Sequence, residues 1–139
     1  MQAFITEAIN RPGEFARHAE AIAKHGINVE PFCLGLGDRG GAAFLTHDEQ
    51  GTRSALNDAG IGFREVQVLT ISLEDKPGTA AGIARQLANA GVNIELFAPV
   101  DYGQGRKATI AIGVDKVEEA RKVLSTQLTE WAVPAAVAV

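Results

Sequence analysis

Two stretches decide the fold: Gly26-Ile27-Asn28-Val29-Glu30-Pro31-Phe32 and Gly91-Val92-Asn93-Ile94-Glu95-Leu96-Phe97. They carry one pattern twice, 65 positions apart, and Pro12-Gly13 returns as Pro77-Gly78 at the same offset. Without a gap that offset also carries Ala16, Ala19, Ala23, Gly40 and Ala43 onto Ala81, Ala84, Ala88, Gly105 and Ala108. Agreement at a fixed offset over such a length marks an internal repeat, which sets the size of the folding unit before any element is assigned. Further along the offset grows to 68, so that Leu56 meets Leu124 and Phe63 meets Trp131. The second unit therefore holds three extra residues around its last helix.

Within the first unit, residues 3–8 alternate apolar and polar as a strand does, and Phe15, Ala19, Ile22 and Ala23 are spaced for one face of a helix. Gly26 stands where a helix C-terminus favours positive φ, and two extended runs follow at 27–36 and 42–46. Gly37, Gly40 and Gly41 between them mark a hairpin. A helix near 50–59 and a strand from Ile61 complete the order β-α-β-β-α-β, repeated from Leu69 to about Val133. The predicted class is α+β: two tandem ferredoxin-like units, each an antiparallel sheet with its helices on one face. The join is found by phase. Val66 and Val68 alternate in one register and Leu69, Ile71 and Leu73 in the other, which predicts domains at 1–68 and 69–139 with no linker between them. Units of this size bury only about 60% of their unfolded surface. Mutual packing and a homodimer are expected in compensation.

Composition narrows the function. With 46% apolar and 22% charged residues the chain is globular, and it has no apolar run of about 18 residues to span a membrane. Its opening residues 1–7 lack a basic leader and an apolar stretch, so the cytoplasm is the expected compartment. One cysteine, Cys33, and three scattered histidines make neither a disulfide nor a zinc framework, and no cofactor is implied. A net charge of −4 offers no footprint for nucleic acid or for an anionic membrane.

The stretch Ile71-Ser72-Leu73-Glu74-Asp75-Lys76-Pro77-Gly78-Thr79-Ala80, followed by Ala90-Gly91-Val92-Asn93-Ile94, resembles the ACT domain family: a strand, an Asp-x-Pro-Gly turn into a helix, and Gly-x-Asn-Ile leading into the second strand. The first unit carries a weaker version, Asn10-Arg11-Pro12-Gly13-Glu14-Phe15 with Gly26-Ile27-Asn28-Val29. The resemblance covers nearly the whole chain. It implies a regulatory fold that senses a small ligand, usually a free amino acid, at the interface of two ACT units. The chain looks like the stand-alone tandem kind.

The turn chemistry suits such a ligand. Proline fits the first helical position, the glycine after it keeps side chains away, and helix-start N–H groups favour an anion. Free N–H groups are expected at Gly78, Thr79 and Ala80 and at Gly13, Glu14 and Phe15, forming a seat for a carboxylate. Acceptors for an ammonium group are expected from Asp75 or Asn10 and from strand carbonyls near Asn93-Ile94 or Asn28-Val29. Pro12, Pro77, Arg11 and Lys76 complete the candidate set, the last two as flanking cations. Pure turn architecture remains the alternative, in which the same residues only start a helix. Glu14 and Phe15 make the first site unlike the second.

Other signals carry less. Gly35-Leu36-Gly37-Asp38-Arg39-Gly40 fits a dinucleotide-binding pattern, yet a strand and not a helix follows it, and Tyr102-Gly103-Gln104-Gly105-Arg106 fills the same hairpin in the second unit. His18 and His25 lie seven apart on a predicted helix and are read as surface residues, Cys33 as a buried thiol. No nucleophile, acid and base constellation emerges, so no enzyme activity is expected. The second strand of such a unit lies at an edge, and pairing of two second strands would join the units side by side into one extended sheet. Pro31 and Pro99 limit that pairing or mark bulges. The leading reading is an amino-acid sensor acting on a partner, such as an amino-acid metabolic enzyme or regulator. The alternatives are a ligand-free dimerisation adaptor and a regulatory subunit of a biosynthetic enzyme.

Overall fold

The computed structural model describes residues 1–103 and 105–134. Gln104 of the second hairpin and residues 135–139 of the second expected domain lie outside the described residues. The elements are β1 (Gln2–Ile9), α1 (Glu14–Ala23), β2 (Glu30–Leu36), β3 (Arg39–Thr46), α2 (Glu49–Asp58), β4 (Arg64–Glu74), α3 (Thr79–Asn89), β5 (Ile94–Tyr102), β6 (Lys107–Val114) and α4 (Val117–Val123). The βαββαβ plan is thus written twice, as the repeat requires. Two compact units result, Met1–Glu65 with residues 132–134, and Val66–Trp131.

In the first unit the antiparallel strands run β2-β3-β1. Phe4 pairs with Phe44 across β1 and β3, and both are fully buried against Ile22 of α1 and Leu56 of α2. Phe63 closes this core, its ring centroid 5.4 Å from that of Phe4. The Gly35–Gly40 pattern forms the β2–β3 hairpin, with φ +70° at Gly37 as a two-residue turn wants at its first position.

In the second unit the order is β4-β6-β5. Leu69, Ile71 and Leu73 of β4 join Ile110 and Ile112 of β6 beneath Ile83 and Leu87 of α3 and Leu124, which caps the C-terminus of α4. The face exchange is visible in β4 itself, buried at Val66 and Val68 on one face and at Leu69, Ile71 and Leu73 on the other. Its register against β6 is unbroken from Gln67 to Glu74, so the strand changes its buried face without a bulge.

Three expectations are corrected. The fourth strand of the second unit shrinks to one bridge, Ile71 with Leu128, held by Ser72 N–H to Gln127 O (2.8 Å) and Thr129 N–H to Thr70 O (2.9 Å). Beyond it residues 132–134 group with the first unit, where the Asn28 side-chain amide donates to the Pro134 carbonyl. Pro99 lies at a register shift in β5, whereas Pro31 stands in a β2 ladder with none. Among the described residues β2 bonds to β3 alone and β5 to β6 alone, so each second strand keeps an open edge instead of joining another strand.

Candidate functional site

The Pro-Gly signature forms the same turn twice. Gly13 has φ 89° and ψ −12°, Gly78 φ 90° and ψ −14°. With proline before them, these are the central residues of type II turns, which need positive φ at the second one. The Glu14 N–H reaches Arg11 O and the Thr79 N–H reaches Lys76 O, both at 3.4 Å. A Cβ on either glycine would meet nothing within 4 Å, so backbone conformation alone selects glycine. Two expectations change here. Pro12 and Pro77 stand in the turn rather than at the first helical position, and the N–H groups of Glu14 and Thr79 close the turn instead of waiting for a ligand.

The helix starts differ in what meets their positive ends. α2 is capped by Asp48, whose carboxylate accepts from Gly51 N–H at 2.9 Å. α1 and α3 have no side-chain cap. α1 carries Glu14 in its first turn, bound to Arg11 at 2.8 Å and Arg17 at 3.1 Å; these guanidinium groups, Arg11 foremost, hold its carboxyl below the usual range. α3 has no acidic residue in its first turn. Asp75 precedes that turn and ties its N–H to Arg106 O at 2.6 Å, while Lys76 is exposed and pairs with Glu74 at 2.9 Å.

Above α3 lies an open pocket of about 450 Å³. Lys76, Pro77, Gly78 and Thr79 line it, joined by Gln86 and Gln127, with Leu73 and Ile83 as its apolar floor. Two polar atoms here are buried without a partner among the described residues, Thr79 Oγ1 and Gln127 Oε1. Of the other expected residues, Asp75, Ala80, Asn93 and Ile94 are not in the lining. Asn93 donates its N–H to Asp115 at 2.8 Å and its side-chain amide to Glu95 at 3.1 Å, and Ile94 packs on the core. Ile83 and Gln86 follow Thr79 at helical spacing and were within reach of sequence reasoning. Gln127 carried no such signal.

The first unit holds a smaller cavity of about 100 Å³ beneath the start of α1. Asn10, Arg11 and Glu14 line it as expected; Pro12, Gly13, Asn28 and Val29 do not. Asn10 clamps the β2–β3 hairpin, its N–H on Asp38 O and its side-chain amide on Gly37 O, both 2.9 Å. Thr6 and His18, which sequence reasoning overlooked, line the cavity with Phe15 and Cys33. His18 is 2% exposed rather than a surface residue, its Nδ1 2.8 Å from Thr6 Oγ1 and its Nε2 3.2 Å from an Arg17 nitrogen. Burial, helped by the Arg17 charge and opposed by Glu14, pushes its pKa below the ordinary value. His25 falls after α1 and lies 3.5 Å from Asp58. Cys33 is exposed, because β2 is an edge strand, and Phe15 stacks on Phe44 with centroids 6.1 Å apart.

Three solved structures superpose on nearly the whole chain. The protein BT0572 from Bacteroides thetaiotaomicron does so with a TM-score of 0.71 and 22% identity, covering 92% of this chain and 90% of its own. The regulatory subunit of aspartate kinase from Thermus thermophilus gives 0.59 and 22%, covering 91% and 90%. The structure of aspartokinase alpha and beta subunits gives 0.63 and 22%, covering 90% of each. The chain has the ACT-type fold. At these identities the likeness shows the fold of the two units and leaves their chemistry to their own residues. No protein-family model and no curated protein matches the chain. Among the described residues no group of three or more His, Cys, Asp or Glu side chains is placed to hold a metal, and no helix is long and apolar enough to cross a membrane.

Proposed function

We propose that the chain is a non-catalytic regulatory protein that binds a free amino acid in the turn pocket of its second ACT unit and passes the resulting change to a partner of amino-acid metabolism. One observation carries this reading: Thr79 Oγ1 and Gln127 Oε1 are both buried and unpartnered in one pocket at an uncapped helix start. A hydroxyl can donate and an amide oxygen only accepts. The pair therefore matches the two ends of an amino acid, with the carboxylate at Thr79 and the α3 start and the ammonium at Gln127. Buried polar atoms without partners each cost about 1–3 kcal/mol, which a ligand supplying both bonds would recover. The regulatory role is supported by the fold shared with aspartate kinase regulatory subunits.

Thermal unfolding against each of the twenty amino acids tests it. A ligand at 100 times its dissociation constant adds about 2.7 kcal/mol, several degrees for a domain of this size. One amino acid or a related group should raise the midpoint, and Thr79→Val or Gln127→Leu should abolish the rise. If none of the twenty moves the midpoint, the ligand-free adaptor takes its place.

A further inference from the structure

The sheet faces that the two units turn away from their helices carry different chemistry. In the first unit, strand register sets Leu36, Arg39 and Ile9 in one row across β2, β3 and β1, and Leu34, Gly41 and Glu7 in the next. Ala42 and Phe44, which alternate with Gly41 along β3, belong to the core under the helices, so these rows lie on the opposite face. The 65-residue offset sets Glu7 on Ser72 and Ile9 on Glu74. The register of the second unit then gives the equivalent rows as Lys107 with Glu74, and Asp101, Thr109 and Ser72. Leu34 thus stands for Asp101 and Ile9 for Glu74. Leu36, Leu34 and Ile9 are 70%, 64% and 58% exposed. A face that folds with carboxylates in one unit does not need leucine and isoleucine to fold in the other, and such an exposed apolar cluster marks a contact surface.

Its shape and charge fit themselves. Leu34 and Leu36 make a ridge along the edge strand β2, while Gly41 leaves β3 beside it bare. With Ile5 and Glu7 of β1 as the far wall, the result is an open groove of about 680 Å³. Neighbouring strands lie about 4.8 Å apart, so ridge and groove run side by side. A two-fold axis parallel to the strands and between β2 and β3 therefore lays the ridge of each copy in the groove of the other, the self-complementary contact of a closed dimer. The same axis brings the β2–β3 turns together, with Arg39 of each copy beside the exposed Asp38 of the other. The charged residues of the groove, Glu7, Arg39 and Arg64, are of both signs, and Arg39 lies 3.7 Å from Glu7. A strongly charged partner finds no match there.

We infer that this face binds a second copy of the chain, sheet against sheet, with Leu34 and Leu36 of each copy in the Gly41 groove of the other. The contact is made by side chains of the face and leaves the open edge of β2 unused. It is also separate from the turn pocket of the second unit.

Sedimentation equilibrium of the full chain, from micromolar to submillimolar concentration, tests the inference. The chain should associate to a particle of two copies. Leu34→Asp, which writes the second unit's residue into the first at an exposed position, should keep the fold by circular dichroism. It should weaken association about a hundredfold, tenfold for each of the two leucines withdrawn. Arg39→Asp should also weaken it by setting like charges against each other, and adding Asp38→Arg should restore it. Thr79→Val, in the turn pocket of the second unit, should leave it unchanged. A chain monomeric throughout, a dimer left intact by Leu34→Asp, or no rescue by the charge exchange would overturn the inference.

Discussion

His18 Nδ1 lies 2.8 Å from Thr6 Oγ1, a hydrogen bond between residues 2% and 1% exposed, at the positions where the second unit buries Ile83 and Ile71. One fold has been built twice, with its core hydrogen-bonded in one copy and apolar in the other. The pair therefore couples the stability of the first unit to protons and to volume, and the second unit serves as an internal control.

Acid should weaken the first unit through His18. Burial first, then the Arg17 charge, lowers the folded-state pKa below the ordinary 6.5. Between those two values the unfolded chain binds more protons than the folded one, so stability rises with pH there. The contribution is complete above about 6.5 and is lost as pH falls below it. The urea midpoint should thus be lower at about pH 5.5 than at about pH 7.5, both above the ordinary carboxylate range. An equally large fall in His18→Ile would show that another group is responsible.

Copying the second unit into the first should stabilise it. Thr6→Ile with His18→Ile replaces a buried polar pair by apolar side chains and fills the cavity, a gain of about 1–3 kcal/mol after repacking. Urea unfolding measures it. A loss would mean that the space beneath α1 cannot accept isoleucine.

Glycine substitutions should separate conformation from space. Gly13→Ala and Gly78→Ala each force a Cβ into left-handed backbone with nothing within 4 Å, a cost of about 1–2 kcal/mol from conformation alone. At Gly35 a Cβ would lie 2.7 Å from the Asn10 amide nitrogen and displace it from Gly37 O. Gly35→Ala should therefore cost less in an Asn10→Ala background, whereas Gly13→Ala should not. Equal costs in both backgrounds at Gly35 would rule out the steric account.

The equivalent leucines should prove equally indispensable. Leu56 and Leu124 are both fully buried, each under the helices of its own unit. Truncation of either to alanine should cost about 2–5 kcal/mol, read as an earlier urea transition. A cost under about 1 kcal/mol at either position would show a site that collapses around the gap.

Much of this was legible along the chain. The 65-residue offset predicted the repeated βαββαβ plan, and the phase change at Val68 and Leu69 predicted the change of buried face within β4, because repetition and side-chain alternation are properties of neighbouring residues. The Pro-Gly turns were legible for the same reason, since φ is a local quantity. The exchange of Ile71 and Ile83 for Thr6 and His18 also lay open in the repeat, although a histidine at helical spacing was read as surface.

What only the tertiary structure decided is which polar groups meet. Gln127 reaches the α3 turn pocket through the short bridge of residue 128 to Ile71, Asn28 is engaged by the Pro134 carbonyl, and Cys33 is exposed because β2 keeps an open edge. Local sequence fixes backbone conformation and which face is apolar. Whether a buried hydroxyl or amide finds a partner depends on atoms brought from distant parts of the chain, and only the folded packing sets that distance.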